Sequence, residues 1–297
     1  DDLWEYIHRF EVYPEPVALK LSLDANTTEP LRQLMPRMST LTALNLEWEE
    51  EDAKNCPKNE LSKWLGTLSS AQMNQIQILK LSSMHWFTNP ELCYWLKQMP
   101  HLQSLSLLGE SVTKERWGDA TLFIPSLAEL RQLYIHCEIP AHQLELGAFP
   151  AMVRLYVDCT YSTTRSRWLP SLSDMTALES LGLNDLATPD LLELSHYLPN
   201  RLLHVSLHKS AKATLSDQQS AILWNNMMKL TRLTIMDIPS IPIPQHFISW
   251  MKTSCFAYMP NIIHSHTHMA SLFTQVIPRM EYLQSFYLPW QADPKPM

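Results

Sequence analysis

Glycine is scarce in this sequence, which holds only 5 glycines among 297 residues. It contains no Gly-rich phosphate loop, no nucleophile elbow and no zinc-protease helix motif. Little of the backbone could therefore approach a phosphate closely, and no spacing marks a serine, cysteine or histidine as a catalytic group. The sequence predicts a non-enzymatic protein with no catalytic residue, no cofactor and no dedicated metal site.

Cysteine is also sparse, and its placement argues against a disulfide framework. The five cysteines are odd in number, widely spread and without a Cys-x-x-Cys pair, which is typical of free thiols in a reducing compartment. No apolar run approaches the roughly 20 residues that span a bilayer, and the first residues lack the pattern of a signal peptide. We expect an intracellular protein, cytoplasmic or nuclear. Because no Met begins the chain, we also expect it to be a piece of a longer protein.

Long basic runs are missing as well. The formal net charge is −7, so the sequence shows no electrostatic footprint for nucleic acid or for an anionic membrane. Hydrophobic residues make up 45% of the chain and charged residues 18%, which is ordinary globular composition. These values predict a folded protein that binds neither nucleic acid nor membrane.

A short apolar pattern recurs along the chain. The stretch from Pro36 to Leu46 returns in similar form from Pro278 to Leu288, and both contain the core apolar-x-x-apolar-x-apolar. The copies that align are Leu41/Leu44/Leu46, Ile76/Leu79/Leu81, Leu102/Leu105/Leu107, Leu130/Leu133/Ile135, Met152/Leu155/Val157, Leu178/Leu181/Leu183, Leu202/Val205/Leu207, Leu230/Leu233/Ile235 and Leu283/Phe286/Leu288. Most spacings fall within or near roughly 20–29 residues. The long gap before the last copy predicts a degenerate copy anchored at Ile262.

This pattern resembles that of leucine-rich repeat proteins. The period is irregular and the Asn that commonly follows the strand is mostly absent, so the chain is similar to the irregular intracellular type, including the substrate-binding halves of F-box proteins. The resemblance implies an α/β leucine-rich repeat solenoid, with a curved parallel sheet on the concave side and helices or extended segments on the convex side. Residues 1–16 would form an N-terminal cap, residues 17–290 about ten or eleven repeats, and residues 291–297 a C-terminal tail.

The same resemblance implies a non-enzymatic protein-interaction module. It further implies a substrate receptor of an F-box type ubiquitin ligase, provided that an F-box lies upstream, because residues 1–16 are too short to hold one. This role is inferred from likeness of fold. A structural scaffold or an immune-type sensor array is the alternative within the same architecture.

The outward side chains of the strands are the candidate contacts for a protein partner. Because successive side chains of a strand point to opposite faces, the residues between the core positions form one exposed ribbon on the concave side. The ribbon residues predicted to bind are Asn45, Glu47, Tyr134, His136, Tyr156, Asp158, Asn184 and His208. Tyrosine commonly anchors interfaces, although it also suits any strand surface. In the copy that starts at Leu230, the same alternation predicts that Met236 faces outward.

A small loop after the Tyr156 strand is a second candidate contact. It carries Arg165, Arg167 and Trp168, which are residue types that anchor interfaces. Arg and Trp near a turn can equally serve packing and solvation. Both interpretations stay open at this point.

Three alternating histidines suggest a function of another class. His264, His266 and His268 would share one face of an extended segment, and imidazole is a common ligand of zinc, copper and nickel. This stretch supports an alternative in which the chain is a metal-binding sensor or enzyme. A degraded repeat with histidines at its outward positions explains the same residues without a metal.

Overall fold

The computed structural model describes residues 18–23, 38–48, 60–82, 89–109, 121–160, 166–209, 215–230, 235–237, 258–260 and 285–287. They form an α/β fold in which parallel strands are flanked by helices. The chain divides into two compact units, one of residues 1–160 with 166–177 and one of residues 161–165 with 178–297. The predicted cap (1–16) and tail (291–297) lie outside the described residues.

The first unit is built on one main parallel sheet and a smaller one. Its strands are β1 (Ala18–Leu23), β2 (Ala43–Trp48), β3 (Ile78–Ser82), β4 (Ser104–Gly109), β5 (Leu122–Ile124), β6 (Gln132–Pro140), β7 (Leu144–Leu146) and β8 (Arg154–Thr160). In the main sheet the order β1-β2-β3-β4-β6-β8 follows the order along the chain, while β5 and β7 pair separately. Its helices are α1 (Glu60–Leu65), α2 (Ser70–Gln75) and α3 (Asn89–Lys97), with 3-10 turns at Ala141–Gln143 and Leu169–Asp174.

The register of the main sheet follows the apolar pattern. The second apolar positions of the repeats lie opposite one another and are at most 2% exposed: Leu44, Leu79, Leu105, Leu133 and Leu155. The third positions form a parallel row that is at most 3% exposed: Leu46, Leu81, Leu107, Ile135 and Val157. The predicted repeat alignment is confirmed for these five copies, and its apolar side chains form the core.

Backbone hydrogen bonds join one repeat to the next just before each strand. Gln103 N donates to Gln77 O at 2.8 Å, and Arg131 N donates to Gln103 O at 2.8 Å. Val153 N continues the series by donating to Arg131 O at 2.8 Å. At each of these turns the preceding copy of the pattern therefore supplies the backbone acceptor for the next one.

The second unit also consists of parallel strands and helices, and its helices are longer than those of the first unit. It contains β9 (Ser180–Leu186), α4 (Thr188–Tyr197), β10 (His204–Lys209), α5 (Asp217–Met227), β11 (Ile235–Asp237), β12 (Tyr258–Pro260) and β13 (Ser285–Tyr287). Leu181 lies opposite Val205, and Leu183 lies opposite Leu207, as the repeat alignment predicts. Asn226 Nδ2 of α5 donates to Ser195 Oγ of α4 at 2.8 Å, which ties neighbouring helices together.

Two predicted copies in this unit are wrong in register. Met236, not Leu233, lies opposite Val205, so Met236 takes a core register position and not the outward one predicted for it. Apolar residues at Leu230, Leu233, Ile235 and Met236 offer two registers, and strand pairing selects the later one. The degenerate copy is not anchored at Ile262 either, because β12 ends at Pro260 and pairs Met259 with Phe286.

A β-bulge interrupts the pairing of β9 with β10. Leu183 lies opposite Leu207, but the next pair is Leu186 with Lys209, so β9 carries one extra residue. Asp185 in this bulge has a φ of 54°, a left-handed conformation that Asp tolerates better than most residues.

No helix in the described part of the chain combines the length and the hydropathy needed to cross a bilayer.

Candidate protein-binding site

Strand alternation places the predicted ribbon residues of the first unit on the side of the main sheet opposite to the leucine core. One row across the strands consists of Asn45, Lys80, Ser106, Tyr134 and Tyr156. The neighbouring row consists of Glu47, Ser82, Leu108, His136 and Asp158. All ten side chains are partly or fully exposed. The outward orientation predicted for these positions is confirmed.

Tyr134 and Tyr156 stack on each other across adjacent strands. Their ring centroids are 4.5 Å apart and their planes differ by 5°. The centroid distance is close to the strand spacing of about 4.8 Å, because the two residues are register partners in β6 and β8. Tyr134 remains 38% exposed. The pair forms a rigid aromatic ridge that a partner can reach.

His136 and Asp158 form a second cross-strand pair one step along the same strands. The His136 Nδ1 atom lies 2.8 Å from Asp158 Oδ2. Asp158 and Tyr134 are also the neighbours that raise the pKa of the Tyr156 hydroxyl. The four side chains therefore make one cluster, which we call the Tyr–His–Asp cluster.

Burial, the largest cause, raises the pKa of the Tyr156 hydroxyl together with the nearby Asp158 carboxylate and Tyr134, so that it moves from 10.0 to about 12. The neutral phenol is thus the form that the folded cluster favours. At neutral pH the Tyr156 hydroxyl is available as a donor to Asp158.

This pKa predicts a loss of stability at alkaline pH. Since the folded-state pKa lies above the unfolded value, the stabilisation is complete below about pH 10 and is lost as the pH rises through about 12. We expect the free energy of unfolding, measured by urea titration, to fall less steeply over this interval in Tyr156→Phe than in the unchanged protein. Tyr94→Phe, at an exposed tyrosine of α3, should keep the original slope. Equal slopes in all three proteins would contradict the prediction.

Other predicted contacts lie apart from the cluster. Asn45 and Glu47 lie on β2, three strands from β6 in the sheet order, and the Asn45 Oδ1 atom is buried without a hydrogen-bond partner. Asn184 lies in the bulge of β9 in the second unit. The backbone of His208 lies in β10, but its side chain is outside the described part of the structure.

Two residues of the predicted contact loop, Arg167 and Trp168, do not share an exposed surface. Trp168 is only 2% exposed, so it packs in the interior, as the packing alternative holds. Arg167 is exposed and lies 3.7 Å from Glu145 of β7, in the smaller sheet. Arg165 lies outside the described residues.

Metal binding finds no site in the described ranges. No group of three or more His, Cys, Asp or Glu side chains there could hold a metal ion. His264, His266 and His268, the residues of the metal-binding alternative, lie outside those ranges. The metal alternative stays a prediction.

Sequence reasoning missed Arg154, which belongs beside the cluster. Arg154 is exposed and lies two residues before Tyr156 on β8, opposite Gln132 of β6. Alternation alone places it on the outward face. The predicted outward positions in each copy all follow the second apolar residue. Arg154 precedes Leu155, the second apolar residue of its copy, and was therefore not among them.

Comparison with known proteins assigns no family. Neither a family model nor a curated protein matches the chain. Among solved structures, it is similar to the crystal structure of a protein from Bacteroides fragilis that was a structural genomics target. The similarity covers 93% of this chain and 78% of the other, with 13% sequence identity and a TM-score of 0.49. These comparisons therefore assign no function to the chain.

Proposed function

We propose that the chain is a leucine-rich repeat solenoid that binds a protein through the outward side chains of its main sheet. The Tyr–His–Asp cluster is the central contact, and no catalytic step is involved. The observation that carries this proposal is the Tyr134–Tyr156 stack, because it sets two partly exposed aromatic side chains side by side in a fixed orientation.

The energetics of interfaces support this role. Tyrosine presents a large apolar surface with a polar tip and loses little conformational entropy on binding, so it often dominates an interface. Here the stack of the two rings already fixes their orientation. The two side chains therefore lose their conformational entropy when the protein folds and not when it binds a partner.

Replacing Tyr134 and Tyr156 together by alanine tests the proposal. Removing two anchors should weaken binding of a purified partner by more than about tenfold, measured by calorimetry. The stack contributes only about 0.5–1.5 kcal/mol beyond its burial, so the thermal midpoint should stay within a few degrees.

Tyr94→Ala is the matched control, since it removes an exposed tyrosine from α3 and not from the sheet. The partner is first isolated with the unchanged protein and then purified. Equal affinity of the double variant and of the control for the partner would contradict the proposal. A collapse of the thermal midpoint would instead show that the tyrosines are core residues.

A role as substrate receptor of an F-box type ubiquitin ligase is a finer version of the same proposal. It is supported only by the resemblance of the irregular repeat pattern in the sequence. The coding sequence upstream of Asp1 tests it, because an F-box must be encoded there. A different upstream domain would replace this version while leaving the binding site unchanged.

A further inference from the structure

Strand register brings two of the five cysteines opposite each other. Cys137 of β6 and Cys159 of β8 are register partners in the parallel main sheet. They come directly after His136 and Asp158, the preceding register pair of the same strands. The two cysteines belong to successive copies of the apolar pattern. The stacking of neighbouring repeats, and not closeness in sequence, therefore makes them neighbours.

The spacing of paired strands suits a disulfide at this position. Neighbouring strands of a sheet lie about 4.7–4.9 Å apart, and the two Cα atoms of a disulfide are usually about 4.4–6.8 Å apart. Register partners also lie on the same face of a sheet, because side chains alternate in step along paired strands. The backbone thus places Cys137 and Cys159 within the distance that a disulfide spans.

Two features of the surrounding sheet favour this pairing. On the other side of β6, the register partner of Cys137 is Gly109 of β4, which has no side chain. Cys159 is therefore the one register partner of Cys137 that carries a side chain. The regular pairing of β6 with β8 also ends here, since the register shifts between Cys137 and Pro140. Because the end of a strand pair opens more readily than its centre, local opening can expose both cysteines to a small oxidant.

We propose that Cys137 and Cys159 form a reversible disulfide when the chain meets a low-molecular-weight disulfide such as oxidised glutathione. One cysteine thiolate attacks a sulfur of the reagent, forms a mixed disulfide and releases one thiolate. The second cysteine thiolate then attacks the sulfur of the first and releases the other thiolate. Two cysteine thiols are oxidised, and the reagent is reduced to two thiols, which take up the two protons that the cysteines lose.

This modification would join β6 and β8 directly after His136 and Asp158, in the two strands that carry the Tyr–His–Asp cluster. Disulfides in a reducing compartment are usually transient and redox-sensing. The free thiols that the sequence predicts are then the reduced form of a redox-sensitive pair. The inference concerns a site of covalent modification and does not depend on the binding of a partner.

The test is a redox titration of the full chain. The protein is equilibrated at fixed total glutathione with increasing ratios of oxidised to reduced glutathione, with and without concentrated urea, starting from both its reduced and its oxidised form. Remaining thiols are blocked by alkylation, and tryptic peptides are analysed by mass spectrometry without reduction. Trypsin places the two cysteines in separate peptides, 132–154 and 155–165, each with a single cysteine. The disulfide therefore appears as one linked pair of peptides.

We expect the folded chain to form the linked pair at a ratio of oxidised to reduced glutathione at least about tenfold lower than the chain in urea, because the folded sheet holds the two cysteines in register. Dithiothreitol should restore both thiols. Cys137→Ser and Cys159→Ser should each abolish the linked pair and leave the other cysteine as a mixed disulfide with glutathione. Cys93→Ser, at a free cysteine of α3, is the matched control and should leave the linked pair unchanged.

Three results would overturn the inference. The first is a linked pair that forms at the same ratio with and without urea, since the fold would then contribute nothing to it. The second is more abundant linkage of either cysteine to a different cysteine, and the third is a folded chain that gives only mixed disulfides at every ratio. The comparison with urea uses the unchanged protein, so the test holds even if a serine variant does not fold.

Discussion

Leu107→Ala is expected to lower the free energy of unfolding by about 2–5 kcal/mol, whereas Leu108→Ala should cost less than about 1 kcal/mol. The two leucines are neighbours in β4. Leu107 is fully buried at 0% exposure in the core row, while Leu108 lies on the outward row with partial exposure. Alanine at Leu107 leaves a cavity between packed repeats, and alanine at Leu108 leaves none.

The pair is its own control, because the chemical change is identical and only the face of the strand differs. Urea unfolding of both variants, followed by circular dichroism, supplies the measurement. A one-residue slip of register exchanges the two faces of a strand, so the opposite ranking would show that the register is wrong. Leu133→Ala, in the adjacent strand β6 and equally part of the core, should behave like Leu107→Ala.

Gly147→Ala is expected to destabilise the first unit by about 1–3 kcal/mol or more, because the new methyl group meets backbone. A Cβ atom on Gly147 would lie 2.4 Å from Ser126 N and 2.8 Å from Pro125 C. Gly147 N also donates to Ile124 O at 2.8 Å. The loops that follow β5 and β7 would have to separate, and this bond would weaken.

Ala148→Ser is the matched control for Gly147→Ala. Ala148 is exposed, so a small polar side chain there should change stability by less than about 0.5 kcal/mol. Thermal unfolding of both variants, followed by circular dichroism, checks the ranking. An unchanged midpoint for Gly147→Ala would mean that the two loops do not approach each other as closely as the structure shows.

The repeat pattern predicted much of the candidate site. Once Leu133 and Leu155 are taken as equivalent core positions, alternation puts Tyr134 and Tyr156 on the outward face at the same place in adjacent repeats. Their register pairing in the structure follows directly. What the pattern could not supply is the parallel orientation of the rings, or the hydrogen bond between His136 and Asp158 beside them.

Other features depended on contacts distant in sequence. The residues around Trp168 in the sequence are compatible with either an exposed or a buried side chain, so its burial could not be predicted from them. The later register of Met236 arises because several apolar residues compete for the same core position, and the neighbouring strand selects one of them. The close approach at Gly147 joins residues of two different strand ends.

The apolar spacing along the chain is sufficient to predict the strands of the main sheet of the first unit from β2 to β8, their register, and the face on which each of their residues lies, but not the separate pair β5 and β7. These properties are periodic, and each repeat meets its neighbour in the same way, so local sequence carries them. The stacked tyrosines, the bulge at Asp185 and the interior position of Trp168 follow from three-dimensional packing. Each depends on which side chains meet across strands and on how much space they leave, and a pattern within one repeat does not contain that information.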